Sequence, residues 1–562
     1  MTSFLLHYCW FVLFLVVSLL FLVVSLYVRL TSSSFLISID MFSSWFIKMR
    51  VSISIDMFSS WFSFVVTFIR SIIIIYSFFY MSPYSKTNYF IWLTVFFVLS
   101  ILIVINIRDF FFIILGWDGL GLVSFFLIVY YQNYSSIYSG LFTVLINRVG
   151  DCFFIVSISF FLFMSPYMWS SSSLLPKFLL FLVVLTFITK RAIYPFSPWL
   201  PLAIAAPTPI SALVHSSTLV TAGLYLSMRF SFLLYSCSSL ITFFLIVSVF
   251  TSFYAGLNAI FETDIKKLIA LSTLSHLGFI GMAFSCGLLY LSFFHLIIHA
   301  LFKSVLFMSI GDIMTNLFHA QDIRFLSSGY YYTPFSFYIM AVRLLNLLGI
   351  PTIRGYFSKD LVLETCNFSY ISFFIVFVIF LNVFFTYYYT YRLFYFSFSS
   401  VKFTPFTLVH SATITHVFII TLIRLIGVFF GSIWINYVVP TIIHVSVPLV
   451  WKLTPYVINF CVLLFLLINL KLFNIKIQGV SYFFSNIMFL SCVIITFMSN
   501  LFVYISFYSC KASEYGLFNF SLNSGLYQVS SSIAGFVYKM FSVNSLYMIF
   551  VSRFIFLAFV YL

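Results

Sequence analysis

The sequence contains very few charged residues. Its 562 residues include 27 lysines and arginines and 12 aspartates and glutamates, together 7% of the chain, whereas 63% of the residues are hydrophobic. A soluble globular domain carries about 25% charged residues. A soluble fold of this composition would have too few polar groups to cover its surface, which excludes a multi-domain cytosolic enzyme. Because a helix needs roughly 20 apolar residues to cross a bilayer, the chain has room for about 14 to 16 crossings.

The sequence also lacks the motifs of common metal, cofactor and catalytic sites. None of its eight cysteines form a CxxC pair, which argues against an iron–sulfur cluster, a structural zinc site or a disulfide framework. It contains no P-loop, no dinucleotide glycine fingerprint, no HExxH and no nucleophile elbow. The net charge of +15 comes from scattered basic residues, mostly at the ends of apolar runs. This pattern indicates membrane topology, and we predict no nucleic-acid partner.

Apolar segments of crossing length occur along the whole chain. Two of them, 174–190 and 333–349, run into proline and glycine close to a lysine, and we expect both to be discontinuous helices. The segment 486–508 can cross the membrane or lie along it. The predicted segments are 4–28, 57–80, 88–107, 109–131, 139–164, 174–190, 207–229, 238–260, 268–286, 288–313, 333–349, 370–392, 411–434, 453–472, 486–508 and 543–562.

A sequence of ten residues, ISIDMFSSWF, occurs twice near the N-terminus, at 37–46 and at 53–62. Isoleucine and serine alternate at the start of each copy, which is the period of a β-strand. The pattern predicts two short strands that can pair as a hairpin outside the bilayer. The alternative is a local tandem duplication without a function.

Two lysines lie beside the predicted helix breaks. Lys190 ends the run FLLFLVVLTFITK, and Lys359 lies in GIPTIRGYFSKDLVLE. A charge inside a bilayer is costly and usually faces a polar cavity or a partner. Interrupted helices in both halves of a chain are typical of transporters with internal repeats. We predict that both lysines exchange protons; the alternative for Lys190 is that its side chain reaches the membrane interface.

His295, His299 and Lys303 are spaced four residues apart in LSFFHLIIHALFKSVLFM, so they share one helix face. A proton relay fits this face best, because no third metal ligand is evident nearby and the next polar residue is a cation. Structural hydrogen bonding and metal binding are the alternatives.

Four further polar residues lie within apolar runs. Asp118, in ILGWDGLGLVSFF, needs a cationic partner to stay ionised in such a run. Arg148 and Asp151, in LINRVGDCFF, are three residues apart and can pair with each other. His215, in PTPISALVHSSTLVTAG, is on its own a weak signal, since a lone histidine is often only hydrogen-bonded.

Seven motifs occur in the order and spacing of one known family: GWDGLGLVSFFLIVYYQN, NRVGD, APTPISALVHSSTLVTAGLYL, ETDIKKLIALSTLSHLGFIGM, FFHLIIHALFKSVLFM, AQDIR and GYFSKDLVLE. Through them, the stretch from about Asp56 to Arg392 closely resembles the antiporter-like subunits of mitochondrial respiratory complex I (NADH–ubiquinone oxidoreductase), and among these the subunit 5 family. Subunits 2 and 4 and Mrp-type sodium/proton antiporter subunits share the general pattern. The residues of the motifs AQDIR and GYFSKDLVLE favour subunit 5.

The resemblance implies an all-α polytopic membrane protein with two inverted five-helix repeats, each containing one broken helix. Residues 1–87 would form N-terminal helices with the short hairpin, 88–230 the first repeat and 231–400 the second. Residues 401–562 would form C-terminal helices, including an amphipathic lateral helix and a final anchor helix.

The resemblance also assigns roles to single residues. The first half-channel falls on Asp118, Asp151, Lys190 and His215, the central link on Lys303, and the second half-channel on Lys359. In the mechanism that we expect, Asp118 closes on Lys190 to favour its ammonium form and swings away to release the proton towards Lys303.

Several positions depart from the pattern of the family. Asp118 stands where glutamate is frequent, Arg191 where serine is common and His276 in place of the usual glutamine. Only one apolar segment precedes the hairpin, where the family usually has two.

By this resemblance, the chain is a proton-translocating core subunit in the mitochondrial inner membrane, beside subunit 4. NADH, FMN, iron–sulfur clusters and ubiquinone would bind other subunits, and this chain would carry no redox centre or metal. Phospholipid would bind its outer surface, near basic residues such as Lys471 and Lys476. The alternatives are a stand-alone Mrp-type sodium/proton antiporter and a structural scaffold whose proton path has decayed.

Overall fold

The computed structural model describes residues 2–43, 48–81, 87–163, 174–317, 319–328, 333–349, 355–368, 373–398, 449–472, 478–513 and 525–542. Most of them are helical. The helices, in chain order, are α1 Thr2–Thr31, α2 Met57–Tyr80, α3 Thr87–Asn106, α4 Phe110–Ile128, α5 Tyr134–Phe163, α6 Leu174–Lys190, α7 Trp199–Leu202, α8 Thr208–Ile210, α9 Leu219–Arg229, α10 Ser231–Tyr235, α11 Ser238–Phe261, α12 Ile265–Ser285, α13 Leu289–Asn316, α14 Pro334–Leu348, α15 Leu361–Phe368, α16 Phe373–Phe398, α17 Leu449–Leu472, α18 Gln478–Ser485, α19 Leu490–Cys510 and α20 Leu526–Ser542.

Eleven helices in the described part of the chain are long and apolar enough to cross a membrane. Two shorter apolar helices, Pro334–Leu348 and Leu453–Leu466, add to them. The prediction of an all-α polytopic membrane protein is therefore confirmed. Two of the predicted crossings, 411–434 and 543–562, lie outside the described residues, and the division into repeats stays a prediction.

The helices α12 and α13 lie at the centre of the bundle. Both are buried along almost their whole length, whereas α1 exposes most of its apolar side chains. A helix that is apolar all round and buried all round belongs to the interior of a large bundle. Polar side chains on α12 and α13 are consequently shielded from the surroundings.

The two strands β1 (Phe35–Ser43) and β2 (Lys48–Ile55) pair antiparallel, with Ile37 opposite Ile53. The predicted hairpin is confirmed. Its second strand packs on the α3–α4 connection, where the Arg108 backbone N–H donates to the Ser52 carbonyl at 2.9 Å.

The two copies of ISIDMFSSWF adopt different structures. In the first copy, Asp40 lies within β1, opposite Arg50. In the second, Asp56 ends the strand and precedes α2. Its backbone N–H donates to Ser59 Oγ at 2.8 Å, and its carboxylate lies 3.1 Å from Arg229 Nη2. Capping and a distant arginine therefore select helix for a peptide that is elsewhere a strand.

Two helices end beside a buried lysine, as the sequence predicts. The helix α6 ends at Lys190, and a proline-rich stretch follows that cannot continue the backbone ladder. The helix α14 ends at Gly349, whose φ of +66° is left-handed. A π-helical segment follows each of these two helices further along the chain. Ser211–Thr218 comes after α6, and Tyr356–Asp360 comes after α14. Such segments are rare and concentrate at functional sites.

The predicted lateral helix falls in a C-terminal part of which residues 514–524 lie outside the described residues. Described residues between 478 and 542 form three separate helices, α18, α19 and α20, and residues Ile487, Met488 and Phe489 have positive φ of 55°, 53° and 52°. Left-handed backbone of this kind ends a helix. Residues Phe489–Leu562 form a compact unit of their own, and the lateral helix stays a prediction.

Candidate proton-transfer site

Lys190 lies in a buried pocket made by α4, α5 and α6. Its side chain is only 2% exposed, which contradicts the alternative that it reaches the membrane interface. Its Nζ donates to the Trp117 carbonyl at 3.3 Å, lies 4.8 Å from the centre of the Trp117 ring, and is 4.0 Å from Asp151 Oδ1. Trp117 Nε1 also donates to Asp151 Oδ1 at 2.8 Å. The indole therefore holds the carboxylate beside the ammonium group.

Arg148 connects this pocket to the protein surface. Its Nη1 is 3.7 Å from Asp118 Oδ2 and 3.5 Å from Asp151 Oδ2. The predicted pairing of Arg148 with Asp151 is confirmed. Arg148 and Asp118 are 46% and 34% exposed, but the Asp151 side chain is 7% exposed. The charged residues thus run from a half-exposed pair to a buried pair.

The partner of Lys190 differs from the expected one. We expected Asp118 to close on Lys190, whereas in the structure Asp151 lies beside Lys190 and Asp118 pairs with Arg148. Consecutive side chains on a helix point about 100° apart. Because Trp117 faces Lys190, its neighbour Asp118 is directed away and towards Arg148.

A close helix contact sets the position of the buried pair. A Cβ atom on Gly150 would lie 2.1 Å from Thr189 Oγ1, so only glycine allows α5 and α6 to approach this closely. Gly150 directly precedes Asp151, and Thr189 directly precedes Lys190. The glycine of NRVGD therefore controls the separation of the two charges.

His215 lies in the π-helical segment Ser211–Thr218. Its side chain is outside the described part of the structure, and its predicted role stays a prediction.

Lys303 lies at the centre of the bundle and is fully buried. Its Nζ donates to Ser272 Oγ on α12 at 2.7 Å. His295 and His299 on α13 face the same helix, and the ring of His276 lies 5.6 Å and 5.8 Å from theirs, measured between centroids. The three imidazoles form a cluster between α12 and α13.

The three imidazoles are at most 1% exposed, and none of their ring nitrogens has a hydrogen-bond partner among the described residues. Within the same part of the chain, no group of three or more histidine, cysteine, aspartate or glutamate residues is placed to hold a metal ion. The structure therefore offers no support for the metal alternative at His295 and His299.

Lys359 lies in the π-helical segment Tyr356–Asp360 and is 1% exposed. Its Nζ donates to Thr386 Oγ1 at 2.9 Å and to the Leu347 carbonyl at 3.2 Å, and it lies 4.6 Å from the centre of the Tyr387 ring. The Leu347 carbonyl is available because α14 ends one residue later. The helix break thus supplies a ligand for the ammonium group.

Two carboxyl groups accompany Lys359. Asp360 follows it directly and is 2% exposed, and Glu364 lies one turn further along and is 5% exposed. A Cβ on Gly349 would be 3.1 Å from both Asp360 carboxylate oxygens, so the left-handed glycine also makes room for this group.

The histidine cluster lies within electrostatic range of two lysines. His276 and His295 each interact with both Lys303 and Lys359. In the first pocket, Lys190 interacts with Asp151, Asp118 and Arg148.

One further acidic group lies outside the crossings, in the connection between α11 and α12. Glu262 Oε1 is 3.7 Å from Lys267 Nζ, which also lies 2.8 Å from Asp264 Oδ2. Burial raises the pKa of Glu262 to about 7, Lys267 and Arg392 oppose this rise, and Asp264 adds to it.

Several residues of the site escape the sequence analysis. Trp117, Ser272 and Thr386 contact their lysines from other helices, and no local pattern reveals such contacts. Asp360 and Glu364 carry a visible signal, because two acidic residues follow Lys359 at one and five positions within an apolar segment.

Comparison with known proteins decides the family. The model of the NADH:quinone oxidoreductase/Mrp antiporter membrane family matches residues 108–386. NADH-ubiquinone oxidoreductase chain 5 of Locusta migratoria is 36% identical over 507 residues, which cover 86% of this chain and 85% of that protein. The chain belongs to the NADH-ubiquinone oxidoreductase chain 5 family. The Aedes aegypti member is 45% identical over 59% of this chain and 58% of that protein.

The fold agrees with this family assignment. A chain in the structure of the Mrp complex from Dietzia sp. matches with a TM-score of 0.69 and 20% identity, over 85% of this chain and 55% of that one. Together with the eleven apolar helices of the described residues, the match shows the fold of a multi-pass membrane protein.

Proposed function

We propose that the chain is a proton-translocating core membrane subunit of mitochondrial NADH:ubiquinone oxidoreductase, complex I. As such it is part of a translocase of the respiratory chain that couples electron transport from NADH to ubiquinone to proton transfer across the inner membrane. The observation that carries the proposal is the row of buried lysines, each beside polar or charged partners, in a chain of the chain 5 family.

The first half-channel begins at the half-exposed pair Asp118 and Arg148 and continues to the buried pair Asp151 and Lys190. Arg148 contacts both carboxylates and thus links the entrance to the interior. When the Asp151 carboxylate is close, the Lys190 ammonium form is favoured, since unlike charges attract strongly away from water. An increase in their separation releases the proton inwards.

His215 is the proposed connection from Lys190 towards Lys303. Beyond it, Lys303 and the imidazoles of His299, His276 and His295 form the central relay. Neutral imidazole accepts a proton at one nitrogen and donates one from the other, which suits it to proton transfer. Buried polar groups of this kind also hold ordered water, which extends a relay across gaps between side chains.

Lys359 receives the proton in the second half-channel. Asp360 and Glu364 follow it along the chain, and both are buried carboxyl groups that could accept the proton next. The backbone ligand from Leu347 and the hydroxyl of Thr386 keep the ammonium form available without a fixed ion pair.

In this proposal, other subunits of the complex bind the redox cofactors and substrates. We infer that flavin, iron–sulfur clusters, NADH and ubiquinone are bound by other subunits, and that the antiporter-like subunit 4 is the neighbour in the membrane. Phospholipid would cover the outer surface. For the predicted lipid contacts, Lys476 lies outside the described residues and the Lys471 side chain is likewise not described.

Isolation from native membranes under mild detergent tests the proposal. The chain should co-purify with flavin and iron–sulfur subunits, and NADH oxidation in that preparation should drive proton uptake into vesicles. Isolation as a separate protein that exchanges sodium for protons would contradict the proposal and favour the Mrp-type antiporter.

A further inference from the structure

Two cysteines from distant parts of the sequence lie side by side. Cys286 follows the last residue of α12, and Cys366 lies near the end of α15. Cys286 packs on the apolar cluster that contains Cys366, the two thiols interact with each other, and neither cysteine is in a disulfide. A disulfide forms between two cysteines whose side chains face each other at short distance.

The two thiols differ in accessibility. Cys366 is fully buried within an apolar cluster that also contains Leu363 and Tyr387. Cys286 is partly exposed, in the tight turn between two crossings. The next residue, Gly287, has a φ of +82° and open space around its Cα. A small oxidant can therefore reach Cys286 first.

We propose that Cys286 and Cys366 form a reversible disulfide on exposure to a peroxide. The Cys286 thiolate attacks one peroxide oxygen, the O–O bond breaks, and the products are a Cys286 sulfenic acid and water or an alcohol. The Cys366 thiol then attacks the sulfenic sulfur. The S–S bond forms, the S–O bond breaks, and the departing hydroxide takes the Cys366 proton to leave as water. Two thiols are oxidised by two electrons in total, and one peroxide is reduced.

The cross-link would join two helices of the proposed proton path. Cys366 lies on α15, which continues directly from the segment that carries Lys359. Cys286 ends α12, which carries His276 and Ser272, the hydroxyl ligand of Lys303. A disulfide would therefore hold the Lys359 segment against the central relay, and this consequence rests on the proposed function.

The chemical part of the proposal is tested without any transport assay. Native membranes are treated with hydrogen peroxide and denatured in the presence of one alkylating reagent. They are then reduced with dithiothreitol and labelled with an isotopic form of the same reagent. Cys286 and Cys366 should take up the second label in equal amounts, and a linked peptide should occur in the unreduced digest. Retention of the first label on Cys366 after peroxide would overturn the proposal.

Two variants sharpen the test. Cys286→Ser should leave Cys366 reduced, whereas Cys237→Ser, which removes another partly exposed thiol, should leave the cross-link unchanged. Loss of the cross-link in Cys237→Ser would overturn the assignment of partners. In coupled vesicles, peroxide should lower proton pumping in the wild type, dithiothreitol should restore it, and Cys286→Ser should resist the loss. A cross-link without any effect on pumping would leave the disulfide established and contradict its link to the proton path.

Discussion

The buried carboxylate beside Lys190 allows a sharp comparison of two aspartates. The Asp151→Asn substitution removes its charge but keeps an oxygen that accepts the hydrogen bond from Trp117 Nε1. The bundle should therefore fold as before. Asp151 Oδ1 lies 4.0 Å from Lys190 Nζ. At about 4 Å and an effective dielectric constant of about 20, one such pair contributes about 4 kcal/mol.

Asp118→Asn is the matched control. Asp118 Oδ2 lies 3.7 Å from Arg148 Nη1, and both side chains are at least one-third exposed. Exposed ion pairs of this type contribute about 0–1 kcal/mol. The structure thus predicts that Asp151→Asn impairs the proton path far more than Asp118→Asn does.

Proton pumping in vesicles that contain the purified complex provides the assay. Dye quenching reports the proton gradient, and NADH absorbance reports electron transfer in the same sample. Asp151→Asn should lower pumping at least tenfold, while Asp118→Asn should stay within about threefold of wild type, as expected for a difference of more than 1.4 kcal/mol. The reverse order would refute the assignment of Asp151 as the partner of Lys190. It would favour the sequence-based expectation for Asp118.

Two other substitutions test separate parts of the structure. Gly150→Ala should push α5 and α6 apart at Thr189, cost about 1–3 kcal/mol and lower pumping. The double variant Gly150→Ala/Thr189→Ala should recover part of the loss. Gly535→Ala should be neutral, because nothing lies within 4 Å of the added Cβ. Equal thermal stability of Gly150→Ala, the double variant and Gly535→Ala would contradict the close contact. Glu262→Gln should raise stability at pH 8 by roughly 3 kcal/mol at most, with no gain at pH 4. The raised folded pKa of about 7 means that stability falls as pH rises from the ordinary value of 4.5 to about 7, and an unaltered pH profile of the melting temperature would contradict this.

The sequence predicts the helix breaks and the lysines beside them because both depend on local residues. Proline after Lys190 and glycine after Leu348 both favour the end of a helix, and a lysine in an apolar run is conspicuous. The pairing of Arg148 with Asp151 is equally local, since residues three apart share a helix face.

Contacts between helices are less accessible to sequence analysis. The sequence favours Asp118 as the partner of Lys190, and the choice between Asp118 and Asp151 depends on the rotation of α4 and α5 about their axes. That rotation depends on the packing of Trp117 and Gly150. The position of His276 beside His295 and His299, and of Cys286 beside Cys366, likewise depends on the whole bundle.

The duplicated peptide gives the clearest limit of local prediction. One copy of ISIDMFSSWF contributes a strand, and the other passes from strand into helix. In the second copy, Asp56 pairs with Arg229, which is far away in the sequence, and its backbone N–H donates to Ser59 Oγ at the start of α2.

Lys359 provides the most direct test of the central claim, that buried lysines of this chain carry protons across the membrane. The measurement is the number of protons translocated per NADH oxidised by the assembled complex with Lys359→Ala, compared with wild type in the same vesicles. Lys359 Nζ makes two hydrogen bonds at 2.9 Å and 3.2 Å, and alanine removes both along with the only proton carrier at this position. We expect fewer protons per NADH than in the wild type. An unchanged ratio at an unchanged rate of NADH oxidation would contradict it.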